Sequence, residues 1–248
     1  MEKIALVTGS SRGIGAATVK LLASQGYAVC INYLANETAA LELLAEIKSG
    51  GAQAIAVQAD VSQEADVVRL FQTIDDQLGR ISALVNNAGI LATQMRVEDM
   101  DAARINKIMS TNVTGYFLCS REAIRRMSPR HDGQGGAIVN LSSAASRLGS
   151  PGEYVDYAAS KGAIDTLTTG LALELAADGI RVNCVRPGII YTDIHASGGE
   201  PGRVDRVKQN IPMQRGGSAE EVAQAIAWLL SEGASYSTGA FIDVTGGR

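Results

Sequence analysis

The sequence predicts an α/β fold, a doubly wound parallel sheet of about seven strands with helices on both faces. Short runs rich in β-branched residues alternate with longer segments of helical period along the whole chain. Helices of this length between strands predict parallel neighbours joined by right-handed crossovers. The 248 residues, 46% of them hydrophobic, suffice for one full core. We therefore expect one domain, residues 1–248, with a mobile, glycine-rich insertion at residues 192–217.

Each predicted strand is a short apolar run bounded by glycine or polar residues. The helix after the first strand has Ile14 and Leu21 among its apolar positions and ends at Gly26. Asn36 is expected to cap the second helix and Ser62 the third. The predicted strands are residues 3–8, 27–33, 53–59, 81–85, 137–141, 181–185 and 241–244, and the later helices are residues 101–127, 154–177 and 219–230.

Charge, hydropathy and cysteine usage exclude several classes of protein. A formal net charge of -4 argues against a nucleic-acid partner. No apolar run approaches the ~18 residues of a membrane span, and the start of the chain lacks a signal peptide's apolar stretch, so we expect a cytoplasmic protein without a membrane partner. Cys30, Cys119 and Cys184 are widely spaced among apolar neighbours, which predicts buried thiols. With only two histidines and no ligand pair, no metal site is predicted.

A glycine-rich loop joins the first strand to the first helix. It carries Gly9, Gly13 and Gly15 in the order G-x-x-x-G-x-G. At this point of a parallel sheet, glycines let the backbone approach a pyrophosphate, which the free N–H groups of the helix N-terminus can bind. No Gly-Lys-Ser/Thr follows, which excludes a phosphate-loop kinase. A glycine-rich turn without a ligand remains the alternative.

The charges around this loop favour NADP(H) over NAD(H). Arg12 is the only cation in the loop and suits a ligand with one additional phosphate near the adenosine. The second strand ends in Asn32 and Tyr33, without the carboxylate that would hold a ribose 2′-hydroxyl. NAD(H) remains the alternative cofactor.

Further motifs follow in a fixed order. They are Asn86-Asn87-Ala88-Gly89, Asn112, Ser142-Ser143, Tyr157-Ala158-Ala159-Ser160-Lys161, Pro187-Gly188 and the closing Gly246-Gly247. Together with the glycine loop they resemble the short-chain dehydrogenase/reductase family over essentially the whole chain, in particular a bacterial, sugar-dehydrogenase-like subgroup of NAD(P)-dependent oxidoreductases. The resemblance implies a Rossmann fold and a homotetramer paired through the long helices 101–127 and 154–177.

The resemblance also implies the site residues. The catalytic residues would be Asn112, Ser143, Tyr157 and Lys161, with Ser142 open as the alternative to Ser143. Asn112 would hold a water that links Lys161 to solvent. Cofactor contacts are implied at Gly9, Ser11, Arg12, Gly13, Ile14, Gly15, Asp60, Val61, Asn87, Ala88, Gly89, Tyr157, Lys161, Pro187, Gly188, Ile190 and Thr192.

Tyr157 and Lys161 make chemical sense by themselves. Four residues apart on a predicted helix, they share one face. A phenol with a pKa of ~10 needs roughly 4 kcal/mol of preference for phenolate to act as a base near neutrality. An ammonium ~4 Å away supplies about that much at an effective dielectric near 20. We therefore expect Lys161 to lower the pKa of Tyr157 towards 7.

The expected activity is hydride transfer between NADP(H) and a hydroxyl or carbonyl carbon of a small substrate, such as a sugar, alcohol or ketone, with Tyr157 as acid/base. Reduction of 3-oxoacyl thioesters ranks lower, because no Lys or Arg lies between Lys161 and Arg181. A non-catalytic dinucleotide-binding sensor or scaffold is the alternative from another class. His195, in the insertion, is predicted to face solvent, with a place at the substrate mouth as the alternative. Asp60 has the role of a turn residue as its alternative to a cofactor contact, and Asn86 is predicted to tie strands together.

Overall fold

The computed structural model describes residues 3–248, so the first two residues of the expected domain lie outside it. Seven strands form one parallel sheet in the order β3-β2-β1-β4-β5-β6-β7, which confirms the predicted doubly wound sheet. The strands are β1 (Ile4–Val7), β2 (Ala28–Tyr33), β3 (Ala54–Gln58), β4 (Ala83–Asn86), β5 (Gly136–Leu141), β6 (Ile180–Pro187) and β7 (Phe241–Val244).

Helices cover both faces of the sheet. They are α1 (Gly13–Ser24), α2 (Glu37–Ser49), α3 (Glu64–Gln77), α4 (Ala102–Met109), α5 (Gly115–Met127), α6 (Ala145–Leu148), α7 (Val155–Leu175), α8 (Ile194–Ser197), α9 (Arg203–Val207) and α10 (Ala219–Leu230). On one face, Leu22 of α1 and Ile226 of α10 belong to the same buried cluster. On the other, Phe71 of α3 and Leu175 of α7 belong to a second. The two clusters fix the sheet between its helical layers.

The order of strands reverses beside β1, and this reversal locates the site. In the sheet, Val7 at the end of β1 pairs with Ile31 of β2 on one side and Val85 of β4 on the other. The loops that leave these strands turn to opposite faces and leave a crevice at the carboxyl edge. The glycine-rich loop and the Asn87-Ala88-Gly89 segment therefore start at the same crevice.

The helical stretch predicted over residues 101–127 is present, but it contains a π turn that the sequence did not predict. Helices α4 and α5 are separated by one π turn, Ser110–Thr114. The side chain of Asn112 holds this turn against the chain after β4, accepting from the N–H of Ile90 at 2.8 Å and donating to its carbonyl at 3.1 Å. A wider turn directs Asn112 inwards, and π turns often occur at functional sites.

The two predicted N-caps differ in outcome. Asn36 caps α2 as expected, its side chain accepting from the N–H of Ala39 at 3.2 Å. The prediction for Ser62 is wrong, because α3 begins at Glu64 and Gln63 precedes it without a side-chain cap. The turn before α3 is held by Asp60, whose carboxylate accepts from the N–H of Ser62 at 2.9 Å. A stronger acceptor two residues earlier has taken the position that Ser62 was expected to hold.

The segment 192–217 carries the two short helices α8 and α9 and starts and ends at one place. A bridge joins Ile190 to Gly217, with Tyr191 N–H donating to the carbonyl of Gly217 at 2.9 Å. Near its middle, Arg203 forms ion pairs with Glu153, just before α7, and with Glu200 at 3.0 Å. The segment is therefore attached at its base and to the start of α7.

Two further predictions concern the absence of a membrane-spanning helix and the burial of the three cysteine thiols. Among the helices of residues 3–248, none combines the length and the apolar character needed to cross a bilayer. Cys30, Cys119 and Cys184 are buried and free, as predicted.

Candidate active site

A cleft of about 900 Å³ runs along the carboxyl edge of the sheet, from the ends of β1–β3 to α7 and the segment after β6. Every residue that the sequence implies as a cofactor contact lines this cleft, and so does Ser143. Asn112 does not line it and lies behind the wall. One concave surface thus collects residues from six separate loops, as ligand sites of parallel sheets do.

The glycine loop is held so closely that side chains are excluded. Gly9 has φ +61°, and a Cβ there would lie 2.9 Å from Cα of Ala88. A Cβ on Gly15 would lie 2.7 Å from Nδ2 of Asn87. The N–H of Gly9 donates to Oδ1 of Asn32 at 3.0 Å, which ties the loop to the end of β2. Such a loop brings its backbone within reach of a phosphate.

The start of α1 faces the same cleft. Arg12 occupies the N-cap position of α1, and its side chain does not cap the helix. The first backbone N–H groups of the helix are therefore available to donate to a ligand. Gly13, Ile14 and Gly15 line the cleft here. The donor set and the partial positive charge of the helix terminus fit a dinucleotide pyrophosphate.

The adenosine end of the cleft has a neutral floor. Asn32 is buried, and its amide donates to the carbonyls of Val57 and Ala59 at 3.3 and 3.1 Å. Arg12 is exposed and lines the cleft, and no ion pair is found for it within residues 3–248. Asp60 holds the turn before α3, as its alternative role predicted, and it also lines the cleft.

The end of β6 forms the wall of the cleft opposite the start of α1. Pro187 is the last residue of β6, and a Cβ on Gly188 would lie 2.8 Å from Cα of Thr245. A Cβ on Gly13 would lie 3.4 Å from Cγ2 of Thr192. Thr192 therefore lies across the cleft from the start of α1, and Ile190 lines the wall between. This arrangement can enclose a diphosphate from both sides.

The two serines after β5 point to different partners. The hydroxyl of Ser143 lies near enough to the phenol of Tyr157 to lower its pKa, and it accepts from the N–H of Ala145 at 3.1 Å. Ser142 is buried and donates to the backbone carbonyl of Lys161 at 3.0 Å. The geometry therefore brings Ser143, and not Ser142, to the phenol.

Lys161 lies one turn after Tyr157, but its ammonium is directed elsewhere. Its Nζ donates to the carbonyl of Leu141 at 2.6 Å and to the hydroxyl of Tyr116 at 3.2 Å. It lies 5.7 Å from the centre of the Tyr157 ring. A Cβ on Gly89 would lie 3.7 Å from this Nζ and 3.6 Å from Oδ1 of Asn112, so the amine and that carboxamide reach the same part of the wall.

The predicted lowering of the Tyr157 pKa is wrong for this arrangement. Desolvation raises the pKa of Tyr157 to about 12, and only the hydrogen bond from Ser143 opposes it. Burial lowers the pKa of Lys161 to about 8. The physical reason is that the ammonium is hydrogen-bonded to Leu141 and Tyr116 instead of lying beside the phenol. At neutral pH Tyr157 is therefore a phenol that can donate a proton.

Asn112 and Asn86 both serve the framework of the site. Besides its bonds to Ile90, the amide of Asn112 donates to the hydroxyl of Ser160 at 3.2 Å. Asn86 donates to Asn140 at 2.9 Å and to Ser120 at 3.0 Å, which confirms that it ties neighbouring strands together.

The prediction that His195 faces solvent is wrong, and the residue lines the cleft, in line with its alternative. The residue is only 9% exposed, and its Nε2 lies 2.9 Å from the carbonyl of Ile190. Its Nδ1 has no hydrogen-bond partner among residues 3–248. Burial lowers the pKa of His195, so the ring is neutral at pH 7 and serves the packing of α8 against the cleft wall.

Sequence reasoning missed two residues near the chemistry. Tyr116 contacts Lys161, and its only sequence signal is the four-residue spacing from Asn112. Arg203 lines the cleft, with its guanidinium 5.0 Å from the centre of the Tyr154 ring. Within residues 3–248, no group of three His, Cys, Asp or Glu side chains is arranged to hold a metal ion.

Comparison with known proteins decides the family. A family model described as Enoyl-(Acyl carrier protein) reductase matches residues 9–248. The chain is 68% identical to the uncharacterized oxidoreductase YgfF of Escherichia coli K12, over 99% of both chains. It is 41% identical to a 3-oxoacyl-[acyl-carrier-protein] reductase of Synechocystis, over 99% of this chain and 96% of that one. A short chain dehydrogenase from Burkholderia cenocepacia, solved in complex with NADP, superposes with a TM-score of 0.91 at 33% identity, over 99% of this chain and 97% of that one.

The chain belongs to the short-chain dehydrogenase/reductase family. It is an oxidoreductase, and the predicted Rossmann-type fold is confirmed. In this short-chain dehydrogenase/reductase, the functional groups of the cleft are divided between its two ends. Backbone donors lie at one end, and a hydroxyl, a phenol and an ammonium lie at the other. Such a set can bind a dinucleotide and exchange a proton with a substrate oxygen.

Proposed function

We propose that this oxidoreductase transfers a hydride between NADP(H) and a hydroxyl or carbonyl carbon of a small substrate, a sugar, alcohol or ketone. The observation that carries the proposal is that Ser143, Tyr157 and Lys161 line one cleft, with Ser143 close enough to the phenol to lower its pKa and Lys161 one turn after Tyr157. A bound nicotinamide supplies or takes up the hydride. The residues of the chain orient the substrate oxygen and move its proton.

Each side chain has one proposed role. Ser143 donates a hydrogen bond to the substrate oxygen and stabilises its developing charge. Tyr157 gives its proton to that oxygen during reduction and removes it during oxidation. The ammonium of Lys161 holds the cofactor ribose and favours the phenolate when the proton has left. Asn112 binds a water that returns the proton from solvent.

NADP(H) is the proposed cofactor. Arg12 is exposed in the cleft, and β2 ends in Asn32 and Tyr33, without a carboxylate that would repel a 2′-phosphate. The NADP complex of the Burkholderia relative supports this choice. The remaining proposed contacts are the loop, Asp60-Val61, Asn87–Gly89 and Pro187–Thr192 positions that line the cleft.

The second candidate is reduction of 3-oxoacyl thioesters, because the relative from Synechocystis carries that activity in its name. Against it, Arg203, a cation of segment 192–217 that lines the cleft, is already paired with Glu153 and Glu200. A small neutral substrate therefore stays the first proposal.

Three features of the whole molecule belong to the proposal. The chain acts as one cytoplasmic domain, and segment 192–217 moves as a lid. Amide hydrogen exchange that is faster in this segment than in β6 would support the motion.

Ile105, Phe117 and Leu173 expose apolar surface on the long helices, at 37%, 53% and 79%. These faces pair in a homotetramer, and light scattering on the purified protein tests the mass.

The experiment that tests the function follows nicotinamide absorbance across sugars, ketones and 3-oxoacyl thioesters, with each cofactor form. With the best substrate, Tyr157→Phe should lower kcat by about 10²- to 10⁴-fold, the usual contribution of a general acid. NADPH binding should persist, because the ring keeps its shape. Tyr236→Phe, a fully exposed tyrosine, is the matched control. If Tyr157→Phe keeps full activity, the proposed role is wrong.

A further inference from the structure

Three groups meet in a buried triangle at the wall of the cleft. Lys161 Nζ lies 2.6 Å from the carbonyl oxygen of Leu141 and 3.2 Å from the hydroxyl of Tyr116. The Tyr116 hydroxyl lies 3.0 Å from the same carbonyl oxygen. Tyr116 is 1% exposed and Lys161 3%, so water does not compete for these contacts.

The direction of each hydrogen bond follows from chemistry. The ammonium can only donate and the carbonyl can only accept. Tyr116 therefore accepts from Lys161 and donates its own proton to Leu141. Because burial disfavours the ammonium, a lysine at this position depends on its two acceptors to stay charged. The Tyr116 ring adds to this, since its centre lies 5.1 Å from Nζ.

Other groups around the amine do less. Tyr157 and Asp165 face it from α7, and Cys184 faces it from β6. Asp165 is engaged by Arg186 at 2.9 Å, and burial keeps the thiol of Cys184 neutral by raising its pKa to about 12. Cys119 of α5 borders the Tyr116 hydroxyl and is neutral for the same reason. The Tyr116 hydroxyl and the Leu141 carbonyl are thus the two acceptors that hydrogen-bond the amine.

We propose that Tyr116 is the positioning residue of Lys161, which holds its amine charged and fixes its place in the cleft wall, 5.7 Å from the centre of the Tyr157 ring. Tyr116 acts only through Lys161 and touches neither substrate nor cofactor. The assignment of a catalytic role to Lys161 rests on the proposed function. The hydrogen-bond triangle itself does not.

The first test measures Lys161 directly. The chain has six lysines, so the protein labelled with ¹³C at lysine Cε gives few signals, and Lys161→Met assigns the one that matters. Tyr116→Phe removes the acceptor oxygen and keeps the ring. We expect the Lys161 titration to move to lower pH by about one unit, which corresponds to ~1.4 kcal/mol. An unchanged titration would overturn the proposal and leave Tyr116 as a core residue.

Tyr27→Phe is the matched control, because Tyr27 is also buried with a lysine over its ring, Lys3 at 5.5 Å, but lies far from the cleft. It should leave the Lys161 signal in place. Should Tyr116→Phe not fold, 3-fluorotyrosine at position 116 keeps the shape and weakens the oxygen as an acceptor. A smaller shift in the same direction is then expected, and no shift overturns the proposal.

A second readout connects the triangle to function. The pH at which NADPH affinity declines should move down in Tyr116→Phe together with the Lys161 titration, whereas a merely structural loss would lower affinity equally at every pH. Equal loss at every pH contradicts the positioning role. If Tyr157→Phe proves fully active while the titration still shifts, the proposed function has failed and the role of Tyr116 has not.

Discussion

The hydroxyl of Ser142 donates a hydrogen bond to the backbone carbonyl of Lys161 at 3.0 Å. The contact joins the end of β5 to the second turn of α7, and it leaves the neighbouring Ser143 to face Tyr157. Two adjacent serines at the end of β5 thus have different roles. One holds the catalytic helix in place, and the other is free to meet a substrate.

Alanine at each serine should separate these tasks. Ser142→Ala should lower the free energy of unfolding by about 1 kcal/mol, because the hydrogen bond to Lys161 is lost, with little change in kcat. Ser143→Ala should lower kcat by about 10²-fold at nearly unchanged stability, because the substrate oxygen loses its donor. Urea unfolding and steady-state rates measure both. The reverse pattern would transfer the proposed role to Ser142.

Arg12 should set the cofactor preference. In Arg12→Ser we expect kcat/KM with NADPH to fall by about tenfold or more, equivalent to ~1.4 kcal/mol, and kcat/KM with NADH to change little. Arg96→Ser, an exposed arginine outside the cleft that pairs with Glu98, is the control. A wild-type protein that prefers NADH more than tenfold would contradict the inference.

Asn112 should affect both stability and turnover. Asn112→Leu keeps the volume but leaves the backbone N–H and carbonyl of Ile90 without their partner. We expect the free energy of unfolding to fall by about 2 kcal/mol and the proton-dependent rate to fall with it. Thermal unfolding measures the loss of stability, and the solvent isotope effect on kcat measures the loss in the proton-dependent rate, so the two effects can be separated. Wild-type turnover in a destabilised variant would remove Asn112 from the proton path.

Alkaline pH should destabilise the fold through its three thiols. Burial raises the pKa of Cys119 and Cys184 to about 12 and that of Cys30 further. The unfolded chain then loses thiol protons above a pH of ~8.5 while the folded chain keeps them, so stability falls as pH rises. At a pH of about 9.5 each thiol contributes a loss of roughly 1.4 kcal/mol.

Lys161 opposes this loss, because its pKa is lowered to about 8 and the folded chain releases its proton first. That effect adds roughly 2 kcal/mol between pH values of about 7.5 and 9.5, against about 4 for the thiols. Urea unfolding under reducing conditions should therefore show a net loss of roughly 2 kcal/mol. The loss should be smaller in Cys119→Ala and larger in Lys161→Met. A constant free energy of unfolding in all three proteins would contradict this account.

The sequence suffices for the fold because alternation of strands and helices is a local signal. The glycine loop, Asn87–Gly89 and the Tyr157/Lys161 spacing are local as well, and all of them meet at one cleft. What escaped prediction depends on contacts between distant segments. The π turn exists because Asn112 bonds to Ile90, 22 residues away, and no periodicity in residues 101–127 records that bond.

The pKa of Tyr157 also depends on contacts between distant segments, which the sequence does not reveal. Spacing on a helix says that Lys161 can reach the phenol, but not that Leu141 and Tyr116 offer its amine closer acceptors. His195 looked solvent-facing because glycines and charges surround it, yet the carbonyl of Ile190 draws the ring inwards.

The closed base of segment 192–217 has a practical meaning for protein engineering. Ile190 and Gly217 are bridged, and the stretch between them is held further by a few contacts, among them Arg203 with Glu153 and Glu200 with Gln94, so it can be treated as a cassette with fixed ends. Loops from related enzymes, of other lengths, can be grafted between these fixed ends at a modest entropic cost. Acceptance of new substrates can then be evolved without redesign of the residues that handle the proton.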